Sequence, residues 1–335
     1  MQNCISGAGI PDTRYLSSPN FISFTLHCLT FLEIPVLSYG AYCILYKTPS
    51  RMKSVKLLML NLHFWSCLSD LVISFVGLPY ILLPAPAGYG LGLLDSPQIL
   101  VYLMVTFIAA LTASVLAIYE NRFYTLFAQN SWWKKVRKPF LFSIYTLVPL
   151  IFLPPYFDLP EQESARQLVL SKIPCQPPFD FKHREIYVLA LDYDVPVYCI
   201  AFGTLVLGVS ITVFGWLIFH MLWFGTLSSS NSIRTLNMQR RFAISLTIQS
   251  TFMISVVLTP VLTILWIIFK WYHNQMLNNF IFITLSLHGV GSTIVMICVH
   301  RPYREFTFSK LCYFSKKWRA SVIEKRSGGT LNVVL

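Results

Sequence analysis

A chain of 335 residues that is 55% hydrophobic, 12% charged and has a mean hydropathy of +0.59 carries more apolar surface than one soluble core can hide. It reads as an integral membrane protein with no large soluble domain. The net charge of +12 does not point to nucleic acid, because Lys and Arg are confined to segments between apolar runs, where they meet anionic lipid headgroups.

The first residues lack the basic start, short apolar run and small-residue cleavage site of a removable signal peptide, so the first apolar run is expected to insert and stay. A bilayer core takes roughly 20 apolar residues as helix. Seven runs qualify: Phe21 to Tyr46, Leu57 to Leu83, Gln98 to Tyr119, Phe140 to Tyr156, Val195 to Phe224, Phe242 to Phe269 and Asn278 to Val299. The fourth is short and holds Pro149, Pro154 and Pro155. The runs are continuous rather than short and alternating, which excludes a β-barrel. The expectation is an all-α, seven-transmembrane helix bundle over residues 21–299, with an outer segment at 1–20 and a tail at 300–335.

Seven spans put the termini on opposite sides. The first, third and fifth loops and the tail together hold 20 Lys and Arg, against six elsewhere: Arg14, Arg166, Lys172, Lys182, Arg184 and Lys270. The positive-inside rule then sets the N-terminus outside and the tail in the cytoplasm. The connection from Phe157 to Asp194 becomes extracellular, and it collects seven acidic residues.

Ionisable groups within a bilayer are expensive, so each invites a functional reading beside a plainer one. Asp70, midway along the second span, is either a group that changes partner between two helix arrangements or a static contact with Asn61, His63 or His288. Glu33, just before Pro35, reads as a polar contact beside a kink. Glu120 and Arg122 close the third span; two residues apart on a helix they point about 200° away from each other and do not pair together. Arg240 and Arg241, opening the sixth span at the same membrane face, are the expected partners of Glu120, and such a pair would be a breakable lock. The plainer reading is that Arg122 reaches lipid phosphates and Glu120 is solvated. Pro196 and Pro260 lie in the fifth and sixth spans as candidate hinges.

Cys4 and Cys175 are the two cysteines expected outside the cell, where oxidising conditions permit a disulfide. Phe308, Leu311, Phe314 and Trp318 share one side of a helical wheel and Lys310, Lys316 and Lys317 another, which describes a short amphipathic cytoplasmic helix lying on the membrane, with Cys312 a candidate for palmitoylation. No glycosylation acceptor, zinc-protease motif, phosphate-binding glycine loop or second deep aspartate is present. The sequence therefore calls for no catalytic residues, metal or cofactor, and it carries no signal for an oligomeric state.

Several segments resemble the nematode serpentine receptor class H chemoreceptors, part of the larger Str-type group of seven-helix receptors. They are "YCILYKTPSRMKSVKLLMLNLHFWSCLSDL" (42–71), "GLPYILLPAPAGYGLGLL" (77–94), "YENRF" (119–123), "KIPC" (172–175) and "HRPYREF" (300–306). The resemblance implies a G-protein-coupled receptor for a small environmental molecule, in the plasma membrane of a chemosensory neuron and of its cilium. Its matching positions are Glu120 and Arg122, Asp70, and Pro302, Tyr303 and Arg304 of the tail motif. The chain departs from the rhodopsin-like pattern: "ENR" replaces D-R-Y, the seventh span lacks N-P-x-x-Y, and no cysteine marks the outer end of the third span. A Cys4 to Cys175 bridge would replace the usual one.

The expected partners are a heterotrimeric G protein, a small-molecule ligand and membrane lipid, without nucleic acid. Ligand is expected between the outer halves of the spans, with Tyr80, Tyr102, Thr106, Tyr198, Trp266 and Phe282 as lining residues chosen by depth and chemistry. A mostly aromatic, uncharged set suits a small, weakly polar molecule. The rival classes are a ligand-gated ion channel, a transporter and an orphan partner subunit.

Overall fold

The computed structural model describes residues 14–49, 53–94, 96–172, 185–224 and 233–310, with the side chains at 53–54 and 233–235 excepted. Among the described residues, seven helices are long and apolar enough to cross a membrane. Span one is Pro19–Lys47, with Ser18 as its N-cap accepting from the Phe21 amide at 3.1 Å and Pro19 pre-set for the first turn. Span two is Lys53–Leu71 and ends in a wide turn, Val72–Gly77. Span three, Pro97–Phe123, ends in a second wide turn, Tyr124–Ala128. Spans four, five and six are Trp133–Leu150, Asp194–Trp223 and Ile233–Lys270. Span seven comes in two halves, Gln275–Ser286 and His288–Val299, and residues 301–310 continue as helix.

Span three lies at the centre, packed on spans two, four and five, and span seven packs on one, two and six. The side chains from Ala113 to Asn121 are buried in succession, as expected of a helix surrounded by others. The outer surface is apolar instead: Phe31, Leu32, Phe142, Leu205 and Leu262 are exposed, which suits acyl chains and not water.

Several boundaries differ from the hydropathy reading. The second apolar run was expected to stay helical to Leu83. The helix stops at Gly77, because Leu78 precedes Pro79 and takes a left-handed conformation (φ 43°). Beyond it, β1 (Pro79–Ile81) and β2 (Ala87–Gly90) form an antiparallel hairpin with Tyr80 opposite Tyr89, and β3 (Tyr187–Val188) joins the far side of β2. Tyr80, Leu82 and Leu83 are buried, so a strand inside the bundle carries the same hydropathy as a span. Gly88 allows the two strands their approach: a Cβ there would lie 2.5 Å from the Tyr80 carbonyl oxygen.

Span three runs two turns past Tyr119, because Glu120 is buried and does not mark the end of the helix. Spans four and six begin before Phe140 and Phe242, at Trp133 and Ile233, so Arg240 and Arg241 lie within span six and not at its opening. Pro196 falls in the first turn of span five, where its missing N–H costs no hydrogen bond; Pro260 alone of the two interrupts a helix. Cys4, Cys175 and Cys312, and the tail beyond residue 310, lie outside the described residues.

Candidate functional site

Polar side chains form three groups along the bundle axis. The first closes the acidic end, where the long acidic connection emerges. Span seven starts with Asn274 accepting from the Leu277 amide, and its first two turns bond to the hairpin. Gln275 Nε2 and Asn278 Nδ2 donate to the Ile81 carbonyl at 3.2 and 3.4 Å; Asn278 Nδ2 also donates to the Leu83 carbonyl at 3.2 Å, beside His273 Nδ1 at 2.6 Å. Asn279 Nδ2 donates to Leu16 O at 2.9 Å, and the Tyr80 hydroxyl donates to Ser17 O at 2.9 Å. On the other side Gln162 mimics a strand: its amide nitrogen donates to Val188 O and its amide oxygen accepts from Val188 N. Gln162 belongs to a loop helix, Gln162–Lys172, whose Arg166 is held by Glu185 at 2.7 Å.

The second group is central. Asp70 of span two meets His288 where span seven breaks: Asp70 Oδ1 lies 2.6 Å from His288 Nδ1 and accepts from the Gly289 amide at 3.3 Å. The carboxylate thereby serves free N–H groups at the start of the second half-helix, where the helix dipole favours negative charge. Gly289 permits this contact, since a Cβ there would lie 2.2 Å from Asp70 Oδ2. Of the three partners expected for Asp70 the structure selects His288. Asn61 instead donates to Ser114 and Tyr145, and His63 bonds the Leu37 carbonyl. Glu33 accepts from the Ser74 hydroxyl at 2.7 Å, and Thr30 donates to the Ser74 carbonyl at 2.9 Å, joining span one to the wide turn of span two.

The third group occupies the basic end. Glu120 is fully buried, and its partner is neither Arg240 nor Arg241. Trp133 Nε1 donates to Glu120 Oε1 at 2.8 Å; Arg137 donates from Nε to Oε1 at 3.0 Å and from Nη2 to Oε2 at 2.9 Å. Both donors come from the first turns of span four, so the ion pair ties spans three and four. Arg137 also lies 3.8 Å from the Tyr124 ring centre. Arg240 caps the end of span five, donating from Nε and Nη2 to Leu222 O at 3.0 and 2.8 Å, as cations near helix C-termini do. Arg241 has no contact with Glu120 among the described ion pairs.

Arg122 points the other way, as the helix geometry requires. Its guanidinium carbon lies 3.7 Å from the centre of the Phe242 ring, making a cation–π contact between spans three and six. Nearby, His300 follows span seven, and its Nε2 lies 3.1 Å from Gln249 Oε1 of span six. Burial first and the Arg122 charge second push the His300 pKa down to about 4. The tail motif then turns away: Tyr303 N donates to His300 O, Pro302 occupies the first turn of the tail helix, and the buried Tyr303 hydroxyl lies 2.7 Å from Thr48 Oγ1. Arg304 donates to the Cys298 carbonyl at 3.2 Å.

The six expected ligand-lining residues do not converge. Tyr198 and Trp266 face outward, 68% and 49% exposed. Tyr102 donates to Pro149 O and packs on Tyr156 toward span four. Tyr80 is built into the hairpin, while Phe282 is buried in span seven and the Thr106 hydroxyl is buried without a partner. Depth and chemistry selected them, and helical phase separates them. The residues that the sequence reading missed are Trp133, Arg137 and Phe242. Their signal is an amphipathic start to span four, with Trp133, Arg137 and Phe140 four and three residues apart on one face.

The family described as serpentine type 7TM GPCR chemoreceptor Srh matches residues 17–313. The chain belongs to the Srh family. The match runs from the start of span one through the tail motif, so every described polar group of the Srh bundle lies within it. Among curated proteins, serpentine receptor class H-72 of Caenorhabditis elegans is 27% identical over 306 residues, which cover 88% of this chain and 87% of that protein. This Srh chain is thus a seven-span membrane protein of a chemoreceptor family, which is a family of receptors and not of enzymes.

Proposed function

We propose that this protein is a chemosensory receptor that transmits binding of a small, weakly polar molecule to a heterotrimeric G protein, through separation of spans three and six at their basic ends. That end faces the cytoplasm, the N-terminus faces outside, and the receptor works in the plasma membrane of a sensory cilium. The observation that carries this reading is the Arg122 to Phe242 contact, 3.7 Å from guanidinium to ring centre. A cation–π contact of this kind contributes roughly 0.5–2 kcal/mol, weak enough for a ligand's differential affinity to overcome. Pro260 in span six supplies a bend about which its basic end can move.

Asp70, His288 and the break in span seven connect the ligand-facing half to this end. The Glu120 to Arg137 pair holds spans three and four together, so that span six is the one to move. The test replaces Phe242 with Leu in receptor expressed at matched surface levels. Ligand-independent nucleotide exchange on Gα is expected to rise about fivefold, the population change that loss of about 1 kcal/mol produces. Unchanged basal exchange would remove the lock, and a ligand response that persists in cells lacking Gα would remove the coupling.

A further inference from the structure

The basic end contains a cavity of about 210 Å³ between spans three, five and six, lined among others by Tyr119, Arg122, Gly215, Ile218, Phe242 and Leu246. This is smaller than the roughly 300–1,000 Å³ of pockets that enclose a drug-sized molecule, so it suits part of a chain-like ligand. Its rim includes Phe219, Ile244 and Ile248, which are about half exposed on the outer, lipid-facing surfaces of spans five and six. The cavity therefore opens sideways between two spans.

Among the described residues, Arg122 is the one charged residue of its lining, beside the neutral polar side chains of Tyr119, Gln239 and Thr247. Arg122 Nε is buried without a hydrogen-bond partner, and no described carboxylate pairs with this side chain. The hydroxyl of Thr247 is occupied by the Ala243 carbonyl. The neighbouring arginine, Arg240, is turned to Leu222 O, and Arg137 is taken by Glu120. A guanidinium that rests on a ring without a counter-charge in an apolar setting is costly, and an anion arriving with an apolar tail lowers that cost.

We propose that this cavity binds an anionic phospholipid of the surrounding leaflet, with its phosphate against the Arg122 guanidinium and one acyl chain running past Gly215, Ile218 and Leu246. The absence of a side chain at Gly215, whose Cβ would reach only ordinary contact with Tyr119 at 3.4 Å, leaves the groove its width. The headgroup lies at the level where anionic lipids of a cytoplasmic leaflet concentrate. Bound there, the lipid shares Arg122 with Phe242 and biases the contact between spans three and six. The site itself depends only on the membrane-spanning bundle and not on G-protein coupling.

The test reconstitutes the full chain in vesicles of phosphatidylcholine containing a trace of photoreactive phosphatidylserine or photoreactive phosphatidylcholine, and maps the labelled peptides. The expected result is about fivefold stronger labelling of the Gly215–Leu222 and Phe242–Ile248 segments by the serine lipid, a ratio that one partly shielded ion pair produces. Arg122→Gln should bring the ratio to about one and Arg122→Lys should retain most of it. Gly215→Phe should abolish labelling at both segments in protein that melts as the wild type does. Equal labelling by the two lipids, or a ratio insensitive to Arg122→Gln, would overturn the proposal. So would labelling that survives Gly215→Phe, the variant that decides the matter if Arg122→Gln does not fold. Arg122-dependent labelling by photoreactive oleate, without labelling by the serine lipid, would replace the phospholipid with a free fatty acid.

Discussion

The two ends of the bundle are held shut by different chemistry. At the acidic end a buried hairpin is bonded to span seven and, through Tyr80, to Ser17, while span seven bonds Leu16 O and the loop helix bonds β3, mainly through side-chain amides that donate to backbone carbonyls. At least two of those carbonyls, Ile81 O and Leu83 O, accept from two donors. At the basic end each join rests on few contacts: the Glu120 to Arg137 and Trp133 cluster for spans three and four, the ring of Phe242 for spans three and six. Hydrogen bonds shared among several neutral amides tolerate a single loss, whereas a join gathered on one buried carboxylate or one ring is lost with that residue. The acidic end is therefore built to persist and the basic end to change, which is the asymmetry a receptor that transmits across a membrane requires.

The largest effect is expected where one buried charge gathers most of the polar contacts of a join. Glu120→Ala removes the acceptor of three hydrogen bonds and leaves Arg137, one-fifth exposed, without a counter-charge and with the Asn121 side-chain oxygen at 3.3 Å as an acceptor. Thermal unfolding in detergent should show a loss of about 3 kcal/mol, below the upper range for a fully buried pair because Arg137 retains some water. A loss under about 0.5 kcal/mol would mean that the two ends do not differ as described.

A second, smaller effect follows from His300. Its folded pKa of about 4 lies below the ordinary 6.5, so on acidification the unfolded chain takes the proton first. The stability this histidine contributes is complete above pH 6.5 and is lost progressively as the pH falls toward 4. Between pH 7.5 and 5 the wild type should lose about 2 kcal/mol from this residue. His300→Gln, which keeps a donor facing Gln249, should not show that share of the loss. Identical pH profiles for the two proteins would place the acid sensitivity elsewhere.

Hydropathy and charge placement in the sequence were enough to find all seven spans, because a lipid-facing helix must be apolar along its length. They failed at Leu78 to Leu83, since a strand buried within the bundle is just as apolar as a span. Asp70 was legible as a central group and His288 as one of three partners, but only packing distinguishes three polar residues at similar depth. The partner of Glu120 was misassigned for a related reason. Arg137, Arg240 and Arg241 all lie near the same membrane level, and the choice depends on which way each helix is rotated. Arg240 is turned toward Leu222 and Arg137 toward span three. The six aromatic and hydroxyl residues chosen for ligand binding had depth without rotation, and rotation carried Tyr198 and Trp266 to the outer surface.

The smallest single effects, and the sharpest contrast with Glu120, belong to the hairpin latch. Ile81 O accepts from Gln275 Nε2 and Asn278 Nδ2, so Gln275→Met leaves the carbonyl one donor and Asn278→Leu leaves it the other. Each change should cost about 1–2 kcal/mol, the net value of the two ordinary hydrogen bonds that each amide donates. The double variant strips both donors from a carbonyl enclosed by the bundle, and its cost should exceed the sum of the singles by about 1–2 kcal/mol, the desolvation penalty of an orphaned acceptor. Hydrogen exchange at the amides of 79–90 should accelerate only in the double variant, because only there does the hairpin lose its hold on span seven at Ile81. Simple additivity would mean that the two amides act independently, and that the acidic end is held in the same contact-by-contact way as the basic one.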